Sequence, residues 1–268
     1  MPSSPRSPGE ITEPLRPCRN LGSRQLLAYL AGKESCPGVP ATIVVAPTHR
    51  CNLSCRMCLR SVRTFAKPDL SPDLLWTILD QGQGLIRHVI LDGPGEPLLH
   101  PDLFELIRGI RERRLGVSLS TNATILGSEA TEQFLESGLD SIIFPIDGAT
   151  SEVYEHYRRG ARYDEVAGNV RAFLRRKRER GNRIFVTLQM IRLPRNRHQV
   201  GTFLQQWRLP GVDAIRIKED VVCLDGVCLP ERARRPPRLN RCPHPWLGPM
   251  FVDVDGSVYP CPYSLWKI

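Results

Sequence analysis

The sequence lacks any run of about 18 uncharged apolar residues, and this excludes a helix long enough to span a membrane. Its first ten residues lack the apolar core of a signal peptide, so we expect a cytoplasmic protein. The hydrophobic fraction of 41% and the charged fraction of 24% are near globular averages, which excludes wholesale disorder, a collagen-like repeat and a coiled coil. The 268 residues are therefore expected to form a packed core.

A disulfide framework is also not indicated. The chain has nine cysteines, an odd number, and no secretion signal. Metal binding or catalysis is the better interpretation of the cysteines. Cys18 and Cys36 lie in the N-terminal extension without an evident partner, and we assign them no role.

The basic excess is confined to one stretch. Residues 158–197 contain 13 Lys or Arg and 3 Asp or Glu, although the whole chain carries a formal charge of +9. Apolar residues recur there at helical spacing, which predicts an amphipathic helix with a solvated basic face. A surface that binds nucleic acid is the alternative, but no aromatic residues interleave the charges as base stacking requires. The apolar stripe consists of Val166, Val170, Phe173 and Leu174.

Short β-rich runs alternate with helical patterns, and this predicts an α/β fold with a parallel sheet. Six such units are too few for a complete eight-unit barrel, so we expect a partial (βα)6 barrel with ligands at the C-terminal strand ends. We divide the chain into an extension (1–40), the barrel (41–220) and a small auxiliary domain (221–268). The predicted strands are Thr42–Ala46, His88–Leu91, Val117–Ser120, Ser141–Ile146, Ile184–Met190 and Ala214–Ile217.

Three cysteines follow the first strand within eight residues. Cys51, Cys55 and Cys58 can converge on one metal centre, whereas a disulfide uses two thiols. A zinc site would take His49 as the nearest fourth ligand. A four-iron cluster held by three cysteines would instead leave one iron open to a non-protein ligand.

The spacing Cys51-x3-Cys55-x2-Cys58 resembles the signature of the radical S-adenosylmethionine (SAM) superfamily. A second motif, Asp92-Gly93-Pro94-Gly95-Glu96-Pro97, resembles that family's Gly-Gly-Glu-Pro loop at the end of the second strand, apart from Pro94. The resemblance implies a [4Fe-4S] cluster on the three cysteines. It also implies that Gly93, Gly95 and Glu96 bind the amino group of SAM.

The resemblance extends to the later strand ends. Thr121 and Asn122 correspond to positions that bind the SAM ribose or face the substrate. Asp147 is expected to face the substrate, where it would bind hydroxyl groups or take a proton; the alternative is that Asp147-Gly148 only forms a turn. Arg158 is expected to contact the SAM carboxylate, and Gln189 to lie at the edge of the adenine.

Residues 221–268 contain four cysteines in a pattern that resembles the auxiliary-cluster domains of radical SAM enzymes. Full SPASM domains have more cysteines, so we expect the shortened form, called twitch, with one auxiliary [4Fe-4S] cluster. One of the four could instead be a thiol that returns a hydrogen atom to the substrate. These cysteines are Cys223, Cys228, Cys242 and Cys261.

The resemblance implies that SAM is cleaved to a 5′-deoxyadenosyl radical, with electrons from a flavodoxin or ferredoxin. In size and cysteine count the chain resembles the compact members of the family that oxidise or epimerise aminosugars and aminocyclitols of aminoglycoside antibiotic biosynthesis, and this resemblance implies an epimerase or dehydrogenase. Asp147 and Glu219 or Asp220 would then contact the amine-bearing substrate. The alternatives are a peptide-modifying maturase and an iron–sulfur or zinc module that binds nucleic acid.

Overall fold

A computed structural model of the 268-residue chain describes residues 23–38, 40–65, 68–219, 223–225, 227–228 and 242–261. Cys18 and Asp220, both considered in the sequence analysis, lie outside these ranges. For Cys223 and Cys228 only the backbone is described.

The described chain alternates strands and helices from residue 42 onward, as the sequence pattern predicts. The strands are β1 (Thr42–Val45), β2 (His88–Leu91), β3 (Gly116–Ser120), β4 (Ser141–Pro145), β5 (Phe185–Ile191), β6 (Ala214–Lys218), β7 (Cys223–Leu224), β8 (Val227–Cys228), β9 (Met250–Val252) and β10 (Val258–Tyr259). The helices are α1 (Ser23–Leu30), α2 (Pro72–Gln81), α3 (Leu103–Glu112), α4 (Ser128–Glu136), α5 (Ser151–Tyr157), α6 (Tyr163–Glu179), α7 (Val200–Trp207) and α8 (His244–Leu247).

One sheet of eight strands has the order β10-β9-β1-β2-β3-β4-β5-β6. The pairs from β1 to β6 are all parallel, which confirms the predicted α/β partial barrel. β9 lies parallel to β1, and β10 closes the edge in antiparallel orientation. Part of the C-terminal block therefore extends the barrel sheet, which the sequence pattern did not indicate.

The two faces of the parallel strands have different environments. Leu91, Leu119 and Leu188 point to the helix layer and are fully buried. Residues at the alternate positions, such as Ser118 and Gln189, line the barrel interior and are more polar. The interior thus offers polar side chains near the C-terminal strand ends, where parallel sheets bind ligands.

The part of the basic stretch with apolar periodicity forms helix α6, as that periodicity predicts. All four stripe residues are buried at 2% exposure or less, whereas most of the arginines are exposed. Lys177 is the exception, because it is buried and pairs with Asp213 at 2.5 Å. Across the described residues, no helix combines the length and apolar character needed to cross a membrane.

Candidate active site

The loop after β1 carries Cys51, Cys55 and Cys58, and all three are half-buried. Burial is the main cause that raises the pKa of each thiol, and it raises that of Cys55 to about 11. Cysteine binds a metal as the deprotonated thiolate. Burial disfavours the thiolate, so the three cysteines are expected to be deprotonated only when a bound cation compensates their charge. The three side chains fit a positively charged metal centre.

Helix α5 holds this loop in place through backbone contacts. The Ser54 amide donates to the Arg159 carbonyl at 3.0 Å, and the Arg56 amide donates to the Tyr157 carbonyl at 2.9 Å. These two hydrogen bonds flank Cys55. The position of Cys55 is therefore coupled to the end of α5, where Arg158 lies.

His49 has a different partner from the one that a zinc site would require. Its Nε2 lies 2.5 Å from Oδ1 of Asp253, just beyond β9, and both side chains are buried. Among the residues that the structure describes, no three His, Cys, Asp or Glu side chains converge on a single metal ion. Because Asp253 already engages His49, mononuclear zinc would lack its nearest fourth ligand, whereas a four-iron cluster needs only the three cysteines from this loop.

The glycine-rich loop after β2 packs directly against the cysteine loop. A Cβ atom on Gly95 would lie 2.1 Å from the Thr48 carbonyl oxygen and 2.8 Å from that of Arg50. The Glu96 amide donates to the same Arg50 carbonyl at 2.8 Å. Glycine is thus required at position 95 because two backbones meet there.

Glu96 is buried at 2% exposure beside the end of β3. Its Oε1 accepts from the Thr121 hydroxyl at 2.5 Å, and its Oε2 accepts from the Asn122 amide at 2.7 Å. Burial raises the Glu96 pKa, while these hydrogen bonds oppose the shift. Three predicted site residues therefore lie together, with a carboxylate that retains acceptor capacity for an ammonium group.

Asp147 and Arg158 form a buried ion pair. Nε and Nη2 of Arg158 lie 2.8 and 2.7 Å from Oδ2 of Asp147, and the Ile191 amide donates to Oδ1 at 2.7 Å. Burial alone would lower the Arg158 pKa, but the Asp147 carboxylate outweighs it and the pKa is raised. Asp147 is fully buried by protein neighbours, which differs from the substrate-facing position expected from sequence.

Asp92 lies in the barrel interior on the side of β2. The residue is exposed, but neighbouring protein atoms partly desolvate its carboxylate, and this desolvation raises its pKa to about 6. A hydrogen bond from the Gly93 amide at 2.9 Å and the charge of Lys218 on β6 oppose the shift. Lys218 therefore acts on Asp92 across the interior.

The raised Asp92 pKa predicts a pH-dependent effect of Asp92→Asn on stability. Ionised Asp92 costs folding free energy above about pH 6, and this cost disappears as the pH falls toward the unfolded-state value of about 4. We expect Asp92→Asn to raise the thermal midpoint at pH 8 and to raise it roughly half as much at pH 5. Glu112→Gln, an exposed carboxylate at the end of α3, is the control. An equal gain at both pH values would contradict the assignment.

The C-terminal cysteines are described unequally. In the two-stranded β7–β8 hairpin, Cys223 and Cys228 are backbone register partners. The hairpin contacts the cysteine loop, because the Asp225 amide donates to the Arg56 carbonyl at 2.9 Å and the two side chains form an ion pair. Cys242 is exposed and Cys261 is half-buried. Their joint role as ligands of an auxiliary cluster stays a prediction.

The partial barrel, with a three-cysteine loop and a glycine-rich loop on successive strand ends, has the architecture of iron–sulfur enzymes that bind SAM. A sequence model described as the Radical SAM superfamily matches residues 45–205, more than half of the chain. The chain belongs to this superfamily. Membership implies a [4Fe-4S] cluster and SAM as cofactors, and the donor set of the cysteine loop fits the cluster.

Curated relatives match parts of the chain. The cofactor-modifying protein of tungsten-containing aldehyde ferredoxin oxidoreductase from Pyrococcus furiosus is 32% identical over 37% of this chain and 29% of its own length. The pre-heme d1 synthase of Dinoroseobacter shibae is 34% identical over 57% and 38%. The mycofactocin maturase MftC of Mycobacterium ulcerans is 31% identical over 41% and 30%. The matches thus span less than two fifths of these relatives.

Solved structures share the fold at low sequence identity. Streptococcus suis SuiB bound to SAM superposes with a TM-score of 0.66 at 15% identity, covering 88% of this chain and 64% of SuiB. BtrN in complex with AdoMet and 2-DOIA gives a TM-score of 0.53 at 18% identity, covering 85% and 76%. These similarities support the partial-barrel fold.

Three features of the site were missed in the sequence analysis. Asp253, partner of His49, is 204 residues away along the chain, and no local pattern marks it. Asp92 was part of a recognised motif but received no role. Arg216 and Lys218 on β6 alternate with Ile215 and Ile217, and this period-two pattern could have indicated that both cations face the interior.

Proposed function

We propose that this protein is an enzyme that abstracts a hydrogen atom from a carbon of a small polar substrate held in the barrel interior. The observation that carries the proposal is the contact between the two strand-end loops. Gly95 abuts the backbone of Thr48 and Arg50, so the cysteine loop and the Glu96 loop form one continuous surface at the mouth of the barrel. When bound there, the cluster and SAM supply a 5′-deoxyadenosyl radical.

The residues around this surface match the charged groups of SAM. Glu96 is preorganised by Thr121 and Asn122 and can accept hydrogen bonds from the SAM ammonium group. Arg158 is held by Asp147 near Cys55 and can pair with the SAM carboxylate through its planar guanidinium. Both groups are buried, so their orientation is fixed before SAM binds.

The hairpin on the cysteine loop supports a role for the C-terminal cysteines near the reaction. Asp225 ties the β7–β8 turn to Arg56, and Leu224 packs in the apolar cluster around Met57. We propose that an auxiliary cluster lies on this side and accepts an electron, which would give oxidation. A thiol there would instead return a hydrogen atom and give epimerisation.

Three carboxylates bear on the proposal, made from sequence, that the substrate is an aminosugar. Asp147 is paired with Arg158, and Glu219 is paired with Arg192 at 2.7 Å. Asp92 is the interior carboxylate that supports an amine-bearing substrate. The three relatives are named as a cofactor-modifying protein, a maturase and a synthase. Their names therefore do not distinguish a peptide substrate from a small-molecule substrate.

Anaerobic reconstitution tests the proposed function directly. We expect bound iron and sulfide, about eight of each per chain if both clusters form, and 5′-deoxyadenosine produced from SAM under dithionite. Cys55→Ala should abolish deoxyadenosine formation, whereas Cys36→Ala, a thiol hydrogen-bonded to the Gly38 carbonyl outside the site, should leave it unchanged. A protein that binds zinc and does not cleave SAM would overturn the proposal.

A further inference from the structure

Two cations on β6 face the barrel interior and are not used by the cysteine loop or the Glu96 loop. Arg216 is the register partner of Gln189 on β5, and its Nη1 lies 3.4 Å from the Gln189 Oε1. Lys218 lies two residues further along the same face, at the C-terminal end of the strand. Ile217, the residue between them, packs against the hydrophobic core on the opposite face.

Neither cation has a carboxylate within ion-pair distance in the part of the chain that the structure describes. Among the described acids near them in sequence, Asp213 is paired with Lys177 and Glu219 with Arg192. Arg216 is half-buried, and burial lowers its pKa. A partly desolvated cation without a counterion raises the free energy of the site, and a bound anion would offset that cost.

The geometry points to a binding site in which Arg216, Gln189 and Lys218 hold an anionic oxygen group of the substrate, either a carboxylate or a phosphate. The inference rests on the proposed function, because it places this group in the interior where the substrate binds. The Arg216 guanidinium can donate two parallel hydrogen bonds to such a group. Gln189 accepts from Arg216 through Oε1, and its amide nitrogen can donate to the same anion.

The charges of the barrel interior also predict how the substrate is oriented. Asp92 lies on the β2 side, and Lys218 acts on it across the interior. An anion is disfavoured beside ionised Asp92 and favoured beside β6. The acidic end of the substrate would therefore point to β6, and its uncharged or amine-bearing part would lie toward β2 and the SAM loops. Substrates that are acidic or zwitterionic satisfy this arrangement, whereas a purely cationic aminosugar does not.

Binding of two simple anions to the reconstituted, SAM-bound holoenzyme tests the inference. Pyrophosphate and tricarballylate serve as the phosphate and carboxylate probes, and isothermal titration calorimetry measures their affinities. We expect saturable binding of at least one probe, weakened about tenfold or more by Arg216→Gln and less by Lys218→Gln. Arg192→Gln is the matched control, because it removes an exposed arginine paired with Glu219 and should leave probe affinity unchanged.

Each outcome decides the question. Binding of pyrophosphate alone identifies a phosphate site, and binding of tricarballylate alone identifies a carboxylate site. If wild-type holoenzyme binds neither probe, or if Arg192→Gln weakens binding as much as Arg216→Gln, the inference is wrong. If Arg216→Gln fails to retain its cluster, Arg216→Lys replaces it in the test because it keeps the positive charge. We expect Arg216→Lys to retain part of the probe affinity. Deoxyadenosine formation by the wild type is measured separately, so a failure of the proposed function can be distinguished from a failure of the anion-site inference.

Discussion

Asp147→Asn is expected to destabilise the protein by about 3–5 kcal/mol and to weaken SAM binding, because it leaves the buried Arg158 guanidinium without its counterion. The substitution keeps the shape of the side chain and one carbonyl oxygen for the Ile191 amide. The loss therefore reports on charge and not on packing. Chemical denaturation and equilibrium binding of SAM to the reconstituted protein measure the two effects.

Two further variants separate stability from SAM binding. Glu165→Gln removes an exposed carboxylate that pairs with Arg162 at 3.2 Å, and we expect it to cost less than about 1 kcal/mol. Asp147→Asn combined with Arg158→Gln removes both buried charges, so stability should recover while SAM binding stays weak. Recovery of SAM binding in the double variant would show that Arg158 does not contact SAM. Unchanged stability in Asp147→Asn would refute the buried-pair account.

The fold could be predicted from sequence wherever the signal is local. Strand His88–Leu91 has the predicted bounds, because its apolar residues and flanking turn residues specify it without distant partners. Strand β9, Met250–Val252, lies within the predicted auxiliary domain. Its pairing with β1, some two hundred residues away, could not be predicted because strand partners are chosen by tertiary packing.

The site shows the same division. Cys51, Glu96 and Asn122 could be placed because their motifs follow predicted parallel strands, whose C-terminal ends share one edge of the sheet. Asp147 also follows a predicted parallel strand, but whether its carboxylate is buried depends on whether a cation from elsewhere in the chain pairs with it. Arg158 does so from the end of α5, eleven residues later. A turn-forming Asp-Gly pair carries no signal that distinguishes a substrate contact from a buried ion pair.

Gly95→Ala is expected to disrupt the candidate active site most directly, because the added methyl would meet backbone atoms that cannot rotate away. The new Cβ would lie 2.1 Å from the Thr48 carbonyl oxygen, so the Glu96 loop must move off the cysteine loop. That movement breaks the 2.8 Å hydrogen bond from the Glu96 amide to the Arg50 carbonyl. We expect a stability loss of about 1–3 kcal/mol, typical of overpacking, together with loss of bound iron and of SAM binding.

Gly168→Ala is the matched control, since it makes the same chemical change inside α6 where nothing lies within 4 Å of the new methyl. Alanine is the better helix former, so this variant should gain up to about 1 kcal/mol of stability with iron and SAM binding intact. Gly93→Ala should fall between the two, because its Cβ would approach the Ala46 side chain at 2.9 Å, a less severe overlap. Thermal unfolding, iron content and SAM affinity rank the three variants. If Gly95→Ala keeps its full iron content and its SAM affinity, the contact between the cysteine loop and the Glu96 loop is not needed to bind either cofactor.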